Sequence, residues 1–146
     1  EVRENKGWAY SIYSMLSSYK DAGLFSVYAA TSLETALKAI RLVMKEFKQI
    51  KEKGVNSAEL DKAKGHMKGS LMLSLESTNS RMIRLAKDEI YFGRYVSLDE
   101  ILKAIDRVSP RKIQKLAEEL FDPQHLTLTT LGPLAKKDLP DNLLRC

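Results

Sequence analysis

The sequence predicts an α+β fold, in which a small antiparallel sheet has several helices packed on one face. Apolar residues alternate with polar ones from residue 8 to residue 29, which is typical of strands. They then recur at three- and four-residue steps as far as residue 120, which indicates four or five amphipathic helices. Residues 126–131 are threonine-rich and alternate again, so a last strand is expected there.

The first two strands are predicted to form a hairpin. Trp8, Tyr10, Ile12 and Leu16 fall on one face of the first strand. The Asp-Ala-Gly sequence at 21–23 is typical of a turn, and a second alternating run follows it.

The helix boundaries are marked by glycines and caps. Glycine is the usual residue of a left-handed helix stop, so Gly7 is expected to end a helix whose last turns are residues 1–6. Gly54 and Gly93 are expected to end two others. A serine, threonine or asparagine with glutamate three positions later forms a capping box. The predicted caps are Thr31, Asn56, Ser97 and, before a first-turn proline, Ser109.

Two of the helices carry features that bear on packing. Three lysines of the first helix lie off its apolar stripe and are expected to form a solvated face. The second helix carries Gly65 and Gly69. Because a helical glycine costs about 1 kcal/mol relative to alanine, this pair predicts close approach of another helix or of the sheet. The three lysines of the first helix are Lys38, Lys45 and Lys48. The apolar stripe of the first helix consists of Leu33, Ala36, Leu37, Ile40, Val43, Met44, Phe47 and Ile50. The stripe of the second helix consists of Leu60, Ala63, Met67, Leu71 and Leu75.

The composition is that of an ordinary globular domain. The 146 residues are 44% hydrophobic and 29% charged, enough for a core. The sequence contains no long uncharged apolar run, so no membrane helix is predicted. Lysine and arginine outnumber aspartate and glutamate by 24 to 19, but the excess is spread along the helices. Charge is therefore a weak indication of a nucleic-acid partner.

The sequence offers no candidate metal centre or nucleophile. The two histidines, His66 and His125, are 59 positions apart, and Glu76 is ten positions after the first, too far along a helix to share one ion with it. Both histidines are expected to be surface or packing residues. Cys146 has no partner for a nucleophile–base pair. By itself the chain is expected to hydrolyse nothing.

Arg3 and Tyr10 are the candidate binding residues. A helix end followed at once by a strand can hold both near one point. Arg3 carries a permanent, forked cation suited to carbonyl or carboxylate oxygens. Tyr10 has a hydroxyl that can donate to a developing oxyanion. The alternative interpretation is a solvated Arg3 and a Tyr10 that packs on the sheet.

The residues around these two resemble a known signature. The chain starts Glu-Val-Arg-Glu-Asn-Lys-Gly-Trp-Ala-Tyr-Ser-Ile-Tyr-Ser. This is similar to the second-domain signature of the pitrilysin and mitochondrial-processing-peptidase family of zinc metallopeptidases, also called insulinase-like. Arg3, Gly7, Ala9 and Tyr10 match it, and Trp8 stands where the family has leucine. The resemblance continues at residues 21–25, 64–77 and 131–133, over about nine tenths of the chain.

The resemblance implies a role within a larger enzyme. In that family a first domain binds the zinc, and a following domain of similar α+β fold supplies an arginine and a tyrosine to a peptide held between two halves of a chamber. On this sequence these are Arg3, holding a substrate carbonyl, and Tyr10, supporting the oxyanion. The implied parent is a cytoplasmic zinc metalloendopeptidase whose zinc is bound by another domain.

The resemblance also implies that the chain is one portion of a longer protein. A family domain begins with a strand and a helix before the segment that contains Arg3. Residues 1–133 would then be a C-terminal domain portion lacking that first strand and helix, and residues 134–146 a tail. Open strand edges and apolar faces would need a partner. The expected partners are a zinc-bearing N-terminal domain or subunit, or a second copy.

Two rival functions are consistent with the sequence. The family includes members that have lost the zinc site and serve as non-catalytic structural subunits, although retention of both Arg3 and Tyr10 favours the enzyme. The second rival function, a basic nucleic-acid-binding module, is supported by charge alone. The sequence lacks a clustered basic stripe with aromatic platforms.

Overall fold

The structure, a computed structural model, describes residues 7–135 and 138–145. Within these ranges two antiparallel strands precede five helices, so the predicted α+β class and hairpin are confirmed. The elements are β1 (Ser11–Ser18), β2 (Gly23–Ala30), α1 (Leu33–Lys53), α2 (Ser57–Ser74), α3 (Thr78–Phe92), α4 (Leu98–Asp106) and α5 (Pro110–Leu120). None of the described helices is both long and apolar enough to cross a bilayer.

The chain divides into two compact units. Among the described residues, the first comprises 7–52, 116–135 and 138–145 and contains the hairpin, nearly all of α1 and the end of α5. The second comprises residues 53–115 and contains α2, α3, α4 and the start of α5.

In the first unit the hairpin packs on α1 through two alanines. Ala9 is 6% exposed and Ala39 is 1% exposed, and they form one buried cluster. Trp8, Ile12 and Leu42 pack against this cluster. Because neither alanine has atoms beyond Cβ, the chain entering β1 can lie directly on the helix.

A second contact of the first unit is aromatic. The Phe47 and Phe121 rings are stacked with centroids 4.0 Å apart, and the Phe25 ring lies 6.3 and 5.9 Å from them. The Lys51 ammonium donates a hydrogen bond of 3.0 Å to the Phe121 carbonyl. β2, α1 and the residue that follows α5 are therefore tied together at this point.

In the second unit a buried ionic contact joins α3 to the loop before α4. Asp88 is 7% exposed, and its Oδ2 accepts a hydrogen bond from the Val96 amide at 3.3 Å. The Nε of Arg84 lies 3.9 Å from the same carboxylate, and its Nη2 donates to the Val96 carbonyl at 2.5 Å. The loop backbone is thus held by both charges.

Most predicted helix boundaries are confirmed. The side chains of Asn56, Ser97 and Ser109 accept hydrogen bonds from amides at the starts of α2, α4 and α5. Gly54 and Gly93 adopt φ of +68° and +63°, as left-handed stops require. The predicted cap at Thr31 is one residue early. Helix α1 begins at Leu33, and the residue before it, Ser32, has its hydroxyl 2.9 Å from that of Thr35.

Two predictions are wrong, and a third is correct only in part. Residues 126–131 form no strand; alternation favours a strand only where a neighbour offers an edge, and β1 and β2 are the two strands of the described sheet. A Cβ at Gly65 or Gly69 would meet no atom within 4 Å, so no described element approaches this pair. The stripes are also imperfect, because Leu33, Ala63 and Met67 are exposed and Ala39, which the α1 stripe omitted, is buried.

Enlarging Ala39 should destabilise the protein. In Ala39→Leu three extra carbons must fit into the cluster around Ala9, and overpacking of this kind costs about 1–3 kcal/mol. Urea unfolding would show a lower midpoint with an unchanged slope. Ala63→Leu, on an exposed helical position, is the matched control and should change the free energy of unfolding by less than about 0.5 kcal/mol. Equal effects of the two substitutions would contradict the packing described.

Removing the buried carboxylate should also be costly. Asp88→Ala leaves the Val96 amide without its acceptor and the Arg84 guanidinium without its counter-charge, which should cost about 2–3 kcal/mol. Glu89→Ala, the exposed neighbour in α3, is the control. Chemical denaturation monitored by circular dichroism measures the free energy of unfolding of both variants. A loss of stability in Asp88→Ala no larger than that in the control would exclude a structural role for this contact.

Candidate functional site

Tyr10 lies at the base of the hairpin, where its backbone is fixed and its side chain is free. Its amide donates a hydrogen bond of 2.8 Å to the Ala30 carbonyl, which extends the pairing beyond Ser11. Its side chain is 74% exposed. The interpretation in which Tyr10 packs on the sheet is therefore wrong, and the phenol can reach a ligand.

The residues just before Tyr10 are anchored as well. Gly7 has a φ of +62°, the left-handed conformation that glycine adopts without strain. The Trp8 carbonyl accepts a hydrogen bond of 2.9 Å from the Thr35 hydroxyl at the start of α1. Ala9 is buried. Residues 8, 9 and 10 are thus held by α1 and β2, and these contacts set the position from which the Tyr10 side chain projects.

Arg3 lies outside the described residues. Its predicted convergence with Tyr10 on one point therefore stays a prediction, as does the helix expected over residues 1–6.

The hairpin carries an aromatic pair that the sequence reasoning missed. Tyr13 and Tyr28 lie opposite each other, and their rings stack with centroids 5.0 Å apart. Both are about half exposed. They lie on the sheet face opposite Ile12 and Phe25, which pack in the first unit. The turn at 21–23 fixes the register of the two strands. Counting residue pairs outward from that turn places Tyr13 opposite Tyr28, and this is the signal that would have predicted their contact.

The described residues do not fit a zinc site. They contain no group of three or more histidine, cysteine, aspartate or glutamate side chains placed to hold a metal ion. His66 and His125 are both exposed, and the Nδ1 of His125 lies 3.3 Å from the Glu119 carbonyl. A zinc ion would have to be bound by a part of the protein other than these residues.

Sequence comparison finds a resemblance to one family. The family model described as "Peptidase M16 inactive domain" matches residues 1–67, the stretch that contains Arg3 and Tyr10. A Bacillus subtilis protein named "Uncharacterized zinc protease YmxG" is 42% identical over 133 residues, or 91% of this chain. The chain resembles the M16 peptidase family, by the family model over residues 1–67 and by this relative over 91% of its length. The predicted resemblance to zinc metallopeptidases of the processing-peptidase type is confirmed.

Other M16-like relatives are longer than this chain. An "Uncharacterized zinc protease" of Mycobacterium tuberculosis is 35% identical over 144 residues, 98% of the chain. A protein of Arabidopsis thaliana named "Probable mitochondrial-processing peptidase subunit alpha-1, mitochondrial" is 30% identical over 122 residues, 84% of the chain. The chain spans 32%, 33% and 24% of the Bacillus, Mycobacterium and Arabidopsis proteins, respectively.

A solved structure shares the fold. A chain of "Complex III2 from Candida albicans, Inz-5 bound" superposes with a TM-score of 0.71 over 81% of this chain and 28% of its own length. The two sequences are 19% identical, so the likeness concerns the fold alone.

Proposed function

We propose that this chain is the substrate-binding C-terminal part of a zinc-dependent metalloendopeptidase. The observation that carries the proposal is the exposed phenol of Tyr10 on an anchored backbone, inside the stretch that matches the M16 domain. The relatives named zinc proteases support the reaction class. The activity of the whole protein is part of the proposal, since the chain spans about a third of those relatives.

The proposed role of Tyr10 is to donate a hydrogen bond to a peptide carbonyl oxygen. That oxygen gains negative charge when the peptide bond is attacked, and a donor already in position stabilises the charge without reorganisation. The anchors at Trp8, Ala9 and Ala30 supply the positioning. Arg3 would hold a second carbonyl of the same peptide through its guanidinium.

The proposed partner is a zinc-bearing N-terminal domain or subunit. The described residues do not fit a zinc site, so the metal-dependent chemistry would be supplied by that partner. Large apolar side chains also lie exposed in both units, among them Leu16 in the first and Leu73 and Ile90 in the second. Surfaces of this kind are typical of protein interfaces.

Loss of either proposed binding side chain should reduce peptide cleavage by the parent enzyme without loss of metal. Arg3→Ala and Tyr10→Phe should each lower kcat/KM by about a hundredfold, or about 2.7 kcal/mol of transition-state stabilisation. The assay is cleavage of a quenched fluorescent peptide, with zinc content measured on the same samples.

Tyr19→Phe is the matched control, because Tyr19 is an exposed tyrosine at the other end of the hairpin. It should retain full activity. Unchanged activity in both Arg3→Ala and Tyr10→Phe would show that the chain is a scaffold, which is the structural-subunit alternative.

The isolated chain should self-associate, and the missing part of the parent should compete with that association. Light scattering at increasing protein concentration should give a mass above that of a monomer. Addition of the N-terminal part should replace the self-associated species by a one-to-one complex. A constant monomer mass at high concentration, with no complex formed, would contradict the proposed partner.

A further inference from the structure

We propose that a basic pocket beside α1 binds a small organic phosphate. The pocket lies between α1 and the C-terminal segment, residues 138–145, and has a volume of about 380 Å³. That volume falls at the small end of ligand sites, which span about 300–1,000 Å³. The lining residues are Arg41, Met44, Lys45, Lys48, Pro140, Asn142, Leu143 and Arg145.

Four cations line the pocket, three from α1 and one from the C-terminal segment. Helical spacing brings the first three together, and turns of the backbone position the fourth. Arg41, Lys45 and Lys48 follow one another at four- and three-residue steps, so they share one face of α1. In the C-terminal segment the Leu143 amide donates to the Pro140 carbonyl at 3.0 Å, and the Arg145 amide to the Asn142 carbonyl at 3.2 Å. These turns hold Arg145 at the opposite wall.

The base of the pocket is apolar and well packed. Met44 of α1 and Leu143 of the C-terminal segment both line it and are both buried. Pro140 adds a third apolar surface. The four cations, by contrast, are exposed, so their charges are available to a ligand.

The positive charge of the pocket is not balanced among the described residues. No lining residue is acidic, although Glu46 and Asp141 are adjacent to lining residues in the chain. Within the described ranges, the side chains of Arg41, Lys45 and Arg145 form no ion pair. Lys48 has Glu52 at 3.8 Å, a long contact between two exposed groups. Like charges four apart destabilise a helix, and a bound anion would remove that repulsion.

A second pocket of the structure shows the contrasting case. It lies in the other unit along α4, and its one basic lining residue, Arg94, is bound to Glu100 at 2.9 and 2.6 Å. The hydrogen bond from Arg94 lowers the pKa of the Glu100 carboxyl. In the pocket along α4 the positive charge of Arg94 is neutralised by Glu100. In the pocket beside α1 the positive charges remain available to a ligand.

The side chains indicate the class of ligand. The guanidinium groups of Arg41 and Arg145 present forked donors that match phosphate oxygens, and the two lysines add point charges. The apolar surfaces of Met44 and Leu143 suit an aromatic or short aliphatic group. A phosphate monoester with one small apolar group carries both features.

The test is calorimetric titration of the full-length parent protein with phenyl phosphate at low salt. Saturable binding is expected, weakened by added salt because the contacts are exposed ionic ones. Arg41→Ala combined with Arg145→Ala should weaken binding at least tenfold. Lys38→Ala, on the same helix and exposed but outside the pocket, should leave it unchanged. If the double variant does not fold, Lys45→Gln should still weaken binding several-fold.

Three results would overturn the proposal. The first is an absence of saturable binding by the wild-type protein. The second is binding that the pocket variants do not weaken. The third is displacement of phenyl phosphate by an acidic peptide at a lower concentration than by any phosphate monoester, which would assign the pocket to peptides. Inorganic phosphate should bind several-fold more weakly than phenyl phosphate, and equal affinity would refute the role of the apolar base.

Discussion

The packing of Ala9 against Ala39 is the contact on which the proposed site depends. It brings the chain entering β1 directly onto α1. The bonds from Thr35 to the Trp8 carbonyl and from the Tyr10 amide to Ala30 lie on either side of it. With residues 8, 9 and 10 held in this way, an exposed tyrosine becomes a positioned hydrogen-bond donor. Ala9 is also one of the residues that match the family signature, and its role here is steric.

The features that sequence reasoning predicted well are local ones. A cap or a left-handed glycine stop is decided by a few adjacent residues, so Asn56, Ser97 and Gly54 could be assigned without knowledge of the fold. The hairpin was predicted for the same reason, because its alternation and its turn lie within twenty consecutive residues. The candidate role of Tyr10 came from its chemistry and from the family resemblance.

The features that it missed depend on residues far apart in the chain. Ala39 is buried because Ala9 meets it, and a small side chain gives little hydropathy signal. Residues 126–131 have the alternation of a strand but no strand edge to join among the described residues. The exposure of Tyr10 could not be derived from alternation, which placed it on the same face as Ile12. The convergence of Lys45 and Lys48 with Arg145 was equally hidden, since the lysines alone are typical of a solvated helix face.

We propose that the base of the hairpin contacts the peptide substrate. The most direct measurement is photo-crosslinking in the parent protein, with a photoreactive phenylalanine analogue placed at position 10 or at position 16. Leu16 is 71% exposed in β1, about 20 Å along the chain from Tyr10, and so provides the matched comparison. If the base of the hairpin makes this contact, position 10 should give a crosslink to a bound, uncleaved peptide and position 16 should give none. Equal crosslinking from both positions, or crosslinking from position 16 alone, would contradict it.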